Sequence, residues 1–140
     1  MRVYVDTSGL FAALVSNDVN HGRARPTLAA LLESGAALHT SSYALLESLA
    51  LLQTRVGLDA ASRVHRELRP VLEVHWIDEE LHDRAFSRLE ERGRRQLSLV
   101  DCSGFVVMEE HRIATAFAYD DDFRREGFEV LEERGQVGRF

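Results

Sequence analysis

Apolar and polar positions change their period several times along the chain, and the changes mark alternating strands and helices. Arg2-Val3-Tyr4-Val5-Asp6 is a short β-rich run ending in an acid. Thr7-Ser8-Gly9 follows it as a polar corner, and Leu10, Phe11, Leu14 and Val15 then recur at helical spacing. Asn17 to Asn20 reads as a loop, and His21 to Glu33 as a second helix whose start or kink is set by Pro26. Ser34-Gly35 closes it.

Ala37 to Thr40 predicts a weak strand, and Ser41-Ser42 caps an apolar helix from Tyr43 to about Val56, ended by Gly57. Leu58 to Leu68 is amphipathic, carries Arg63, Arg66 and Arg69 at helical spacing, and stops at Pro70. Val71 to Ile77 alternates as a strand does, and Asp78 caps a helix to about Glu91. After Arg92-Gly93-Arg94-Arg95, Ser98 opens a helix through about His111. Ile113 to Tyr119 predicts a fourth strand, Asp120 to Phe123 a turn, and Phe128 to Leu131 a last strand. Such alternation, without repeat or linker, predicts one α/β domain over residues 1–140, a parallel sheet of four or five strands sandwiched between helices.

Composition narrows the setting. The 140 residues are 45% hydrophobic and 29% charged, values of an ordinary globular chain. No run approaches the roughly 20 apolar residues of a membrane span, the N-terminus lacks signal-peptide regions, and Cys102 is the single cysteine. These features point to a cytoplasmic protein without an intrachain disulfide. The net charge of −6 argues against a generally basic nucleic-acid-coating surface, yet carboxylates gathered around a divalent ion would add to that negative charge. All 17 cations are Arg, which suits bidentate phosphate contacts and equally reflects a GC-rich coding sequence.

The candidate chemistry lies in four acids. In a parallel α/β sheet, ligands bind outside the C-terminal ends of the strands. Asp6 ends the first predicted strand and Asp120 the fourth; Glu47 lies a turn into the helix after the second, and Asp101 in the first turn of the helix opened by Ser98. All four fall on one rim. Clustered carboxylates repel one another unless a cation sits among them, and an oxygen-only set, with no Cys or His at zinc spacing, suits Mg²⁺ or Mn²⁺. Such an ion activates water and stabilises charge on a phosphodiester. Each acid also has a structural reading. Asp101 completes a Ser98-x-x-Asp101 capping box, Asp6 caps the first helix, and Asp120-Asp121-Asp122 forms a solvated turn. Glu47, among Tyr43, Ala44, Leu45, Leu46, Leu49, Ala50, Leu51 and Leu52, either needs a partner or sits on a narrow polar stripe with Ser48. The six His show no ligand spacing and are expected on the surface or in packing.

Val3-Tyr4-Val5-Asp6-Thr7-Ser8, Ser42-Tyr43-Ala44-Leu45-Leu46-Glu47, Ser98-Leu99-Val100-Asp101-Cys102-Ser103 and Asp120-Asp121-Asp122-Phe123 occur in an order and spacing that together resemble a PIN domain. The resemblance is to the small kind found as VapC-type toxins of bacterial and archaeal toxin–antitoxin pairs. It implies a Mg²⁺- or Mn²⁺-dependent ribonuclease whose metal-binding acids are Asp6, Glu47, Asp101 and Asp120, with Asp122 a further candidate ligand. Thr7, Ser8 and Ser103 would be supporting hydroxyls, and Arg92, Arg94 and Arg95 candidate contacts to an RNA backbone. It also implies a homodimer and a small antitoxin that covers the acidic site. Ala118 departs from the pattern, because many relatives carry Thr or Ser two residues before the last acid. That departure keeps a catalytically inactive PIN-like module, binding RNA or protein, as the alternative. A receiver-like phosphoryl-transfer domain would need a lysine, and the chain has none.

Overall fold

The computed structural model describes residues 1–131. Its elements are β1 (Arg2–Val5), α1 (Thr7–Leu14), α2 (His21–Glu33), β2 (Ala37–Ser41), α3 (Ser42–Arg55), α4 (Leu58–Glu67), a 3₁₀ turn (Arg69–Val71), β3 (Leu72–His75), α5 (Glu79–Arg92), α6 (Leu99–His111), β4 (Thr115–Phe117), α7 (Asp122–Arg125) and β5 (Glu129–Val130). The five strands form one sheet in the order β3-β2-β1-β4-β5, every pairing parallel. This is the helix-covered parallel sheet that the sequence predicts. The connection from β1 leads outward to β2 and β3, and the chain then returns to place β4 on the other side of β1. The gap between the ends of β1 and β4 is therefore the point where the strand order reverses, and crevices open there in folds of this type.

The strands are short and buried on both faces, so successive side chains feed two separate cores. Val3, Val5, Leu38, Leu72 and Phe117 face Leu10, Leu28, Leu31 and Leu68 from α1, α2 and the end of α4. Tyr4, Ala116 and Ala118 face Phe105, Val106 and Met108 of α6, with Ala85 of α5 and Phe123 of α7. Burying a side chain such as Val5 contributes roughly 1.5–3 kcal/mol, and β1 places Val3, Tyr4 and Val5 almost wholly out of solvent.

Helix ends follow their capping residues. Ser41, Asp78 and Ser98 each accept a backbone N–H from the first turn that follows. Gly93 closes α5 in the left-handed conformation. Arg112 takes that role after α6 despite its side chain, and the Arg2 guanidinium donates to the carbonyls of His111 and Arg112 there. Helix α2 runs through Pro26 from His21, so the proline does not set its start. Helix α1 begins at Thr7, three residues ahead of the first apolar position of its stripe. Among the described residues no helix is long and apolar enough to cross a membrane. The expected domain boundary at residue 140 lies outside the described residues.

Two glycines mark where helix and sheet approach closely. A Cβ on Gly9 of α1 would come 2.4 Å from the carbonyl oxygen of Phe117, and one on Gly104 of α6 would come 2.9 Å from the Tyr4 ring. Gly→Ala inside a helix ordinarily stabilises by about 1 kcal/mol. At Gly9 the clash is with backbone, which cannot rotate away, so Gly9→Ala is expected to lower the urea unfolding free energy by roughly 1–3 kcal/mol. At exposed Gly22, where an added Cβ meets nothing within 4 Å, the same substitution should be neutral or stabilising.

Candidate active site

Asp6 follows the last residue of β1 and caps α1, which fixes its carboxylate at the strand-order reversal. Its N–H donates to the Phe117 carbonyl at the end of β4 (3.1 Å). Its Oδ2 accepts from the Ser8 N–H (3.1 Å) and the Ser8 hydroxyl (2.6 Å). The Ser8 oxygen in turn accepts the N–H of Tyr119 (2.9 Å). Ser8 thus joins Asp6 to the segment that carries Asp120, which lies three residues beyond β4 rather than at its end. Thr7 is buried, and its hydroxyl donates to the Ala44 carbonyl of α3 (3.3 Å).

Asp101 arrives from the opposite layer. Ser98 and Asp101 exchange both bonds of a capping box: the Ser98 N–H reaches Asp101 Oδ2 (3.1 Å), and the Asp101 N–H reaches the Ser98 hydroxyl (3.0 Å). Asp120 accepts the Asp122 N–H on Oδ1 (3.2 Å). In all three acids one oxygen serves the backbone that positions it. The second oxygen carries no hydrogen bond among the described residues.

The three acids converge: one carboxylate oxygen from each of Asp6, Asp101 and Asp120 lies within 4.8 Å of the other two. Burial, followed by repulsion from Asp120 and Asp101, drives the Asp6 carboxyl well above the usual carboxylate range. Asp120 is pushed up to about 6 by burial, then by Asp101 and Asp122. Asp101 is raised as well, chiefly by burial and further by Asp122 and Glu47. Among the described residues no ion pair offsets this trio.

Glu47 lines the same open cleft of about 460 Å³, with Asp6, Asp101 and Asp120, but does not join the close group. Its apolar neighbours do not enclose it, since Leu46 is 68% exposed. Glu47 is half-buried on the wall of the cleft. Asp122 stands beside the trio and receives the Arg94 guanidinium at 3.0 Å. Arg92 makes a two-pronged pair with Glu126 (2.8 and 2.9 Å), and Arg95 is exposed. Ser103 is fully buried and bonded to the Val100 carbonyl and the Ser41 hydroxyl, beneath the cleft rather than in it. Ala118 is enclosed in the second core. The Cys102 thiol is also buried, and loss of solvation pushes it up to about 11, which leaves it a poor nucleophile.

The cleft also holds residues that pattern reading passed over, among them Asp18, Asn20, Gln96 and Arg55. Arg55 extends over the Phe11 ring, 5.7 Å from its centroid. It follows Glu47 and Leu51 at four-residue steps on α3, and all three face the cleft. That spacing was a usable signal.

Comparison with known proteins decides the family: the PIN domain model matches residues 3–129. The chain belongs to the PIN domain family. It is 32% identical over 127 residues to the 23S rRNA-specific endonuclease VapC20 of Mycobacterium tuberculosis, in both strain CDC 1551 and strain H37Rv, over 90% of this chain and 95% of the relative. The crystal structure of M. tuberculosis VapC20, described as a sarcin–ricin loop cleaving toxin, superposes with a TM-score of 0.78 at 33% identity, covering 90% of this chain and 95% of that one. The sequence resemblance to a PIN domain and the sandwich fold are thereby both borne out.

The unoffset trio makes a thermodynamic prediction for the metal-free PIN domain. A carboxyl raised in the folded state adds stability when protonated, and that contribution is lost as pH climbs through its folded value, about 6 for Asp120. Asp120→Asn should therefore raise the melting temperature in chelator at pH 7.5, by the equivalent of roughly 1–3 kcal/mol. The gain should shrink towards pH 4.5. Calorimetric melts of both proteins at the two pH values check it.

Proposed function

We propose that the protein is a metal-dependent endoribonuclease, the toxin of a VapBC-type toxin–antitoxin pair. The observation that carries this reading is the trio Asp6, Asp101 and Asp120, three mutually repelling carboxylates with one oxygen each turned to a common point. An all-oxygen set of this kind suits a hard cation, Mg²⁺ or Mn²⁺, in preference to zinc. When bound, such a cation supplies polarisation of a water and of a phosphoryl oxygen.

The chain's own residues do the remainder. Asp6, Asp101 and Asp120 hold the ion, and Ser8 keeps Asp6 and the Asp120 segment at fixed separation. Glu47, on the cleft wall outside the close group, orients a water or accepts its proton on this reading. Arg55 offers a phosphate contact on the cleft wall, whereas Arg92 and Arg94 already serve Glu126 and Asp122. Thr7 acts by holding α1 to α3. The names of the VapC20 relatives make 23S rRNA, and its sarcin–ricin loop in particular, the first substrate to try. A small antitoxin, a homodimeric state and a cytoplasmic location belong to the same reading. Leu46, Val56 and Leu58, exposed on and around α3 and α4, support a partner-facing surface.

Purified protein is expected to cut ribosomal RNA, or an oligonucleotide of that loop, with added Mg²⁺ or Mn²⁺, and to stop in excess chelator. Asp101→Asn should reduce the rate at least ~10²-fold with the fold intact by circular dichroism. Ser8→Ala, which loosens a ligand without removing it, should cost about 10–100-fold in rate or metal affinity. Undiminished cleavage in chelator would refute the metal-dependent mechanism. Specific metal binding and RNA binding without cleavage would instead favour an inactive module.

A further inference from the structure

A second cluster of metal-ligating side chains lies on the other half of the sheet and shares no residue with the acidic cleft. His39 of β2 stands directly opposite Glu73 of β3 in the parallel register, and His75 follows Glu73 by two residues on the same face. Nδ1 of His39 is 2.9 Å from Nε2 of His75 and 3.3 Å from the Glu73 carboxylate. One ligand atom from each of the three lies within 4.8 Å of the other two. The His111 ring, at the end of α6, packs on His75 with centroids 4.0 Å apart and limits its movement.

One N–H···N hydrogen bond joins the two imidazoles, with the Glu73 carboxylate beside it. That bond uses a single proton, and the three ligand atoms gathered around it are ones a divalent cation also takes. On the far side, His39 Nε2 is enclosed without a hydrogen-bond partner among the described residues. That nitrogen is an unmet acceptor while Nδ1 carries the proton, the state that the Glu73 carboxylate favours, and a cation bound at Nδ1 would displace that proton. Four-coordinate zinc with ligands at about 2.0–2.1 Å separates its donors by about 3.3–3.4 Å. The two separations from His39, 2.9 and 3.3 Å, need to open by at most a few tenths of an ångström, and the third lies within 4.8 Å. Glu73 is mostly exposed on the edge strand, which gives an ion a path from solvent.

We propose that His39, Glu73 and His75 form a binding site for one borderline divalent cation of the zinc or cobalt type, which clamps the edge strand β3 to β2. Two imidazoles and one carboxylate select such an ion over Mg²⁺, whereas the acidic trio selects the reverse. A solvent molecule completes the coordination. The inference does not depend on the nuclease reading.

The test uses untagged full-length protein with Co²⁺ as the probe and excess Mg²⁺ present to fill the acidic cleft. One equivalent of Co²⁺ should give the visible absorption of a four-coordinate site, bleached by stoichiometric Zn²⁺, and Zn²⁺ should raise the melting temperature. The Asp6→Asn/Asp101→Asn double variant should keep this signal. His75→Ala should lose it, and Glu73→Gln, an exposed change that leaves the fold intact by circular dichroism, should weaken Co²⁺ at least ~10-fold. No Co²⁺ absorption in the wild type, wild-type affinity in folded Glu73→Gln, or a signal that disappears with the Asp variants would each overturn the proposal.

Discussion

Three carboxylates held together against their own repulsion are the constraint around which the rest of the fold is arranged. Asp6 is almost completely buried, and desolvation compounds the repulsion from Asp101 and Asp120. Covalent and backbone forces must supply what the charges oppose. The β1–β4 pairing, the Asp6 N–H bond to Phe117 and the Ser8 bridge to Tyr119 hold one side. The Ser98 capping box holds the other. The absence of a side chain on Gly9 lets α1 sit against the end of β4, which keeps the two acid-bearing segments adjacent. A rigid scaffold thus maintains an electrostatically unfavourable arrangement that a bound cation relieves.

The structural and chemical readings of these acids turn out to be compatible. From sequence, Asp6 as a helix cap and Asp101 as a capping box each competed with a role in metal binding. In the fold, each carboxylate does its capping with one oxygen, leaves the other without a hydrogen bond among the described residues, and still lies in the close group. Capping is then also the kind of orienting contact that a metal-binding role would need. This explains why the two motifs were readable at all: a residue that must be fixed by its own local backbone leaves a short signature, and Ser98-x-x-Asp101 is one.

Where function depends on contacts distant in sequence, the pattern was mute. Arg92 and Arg94 looked equivalent to Arg95, because the partners that engage them, Glu126 and Asp122, lie about thirty residues on. Asp122 opens the unforeseen single turn α7. Ser103, expected from its motif as a supporting hydroxyl of the site, faces inward onto Ser41. The histidines showed no ligand spacing along the chain, because His39 and His75 meet across two strands rather than along one helix. Strand limits erred for a related reason. Apolar runs such as Ile113 to Tyr119 extend beyond β4, since Ile113 and Ala118 are buried by packing rather than by a place in the strand. Trp76, taken into the third strand, is 63% exposed beneath Arg69.

Charge distribution adds a directional argument to the nuclease reading. On the α5–α7 side, Arg84, Arg88, Arg92, Arg94 and Arg124 are each matched to an acid. Releasing them to a phosphate would cost the pairs already made, and several are partly buried. The α1–α3 side instead brings Arg55 into the cleft, beside the neutral Asn20 and the Tyr119 ring. That wall also carries Asp18 and Glu47, so it is the stacking and donor capacity of Tyr119, Asn20 and Arg55, and not a lower negative charge, that distinguishes it for a polyanion from the α5–α7 side. With few cations available, binding on this reading owes less to counterion release than in basic nucleic-acid proteins. It leans instead on the cation in the cleft, which makes the metal a binding element as well as a chemical one.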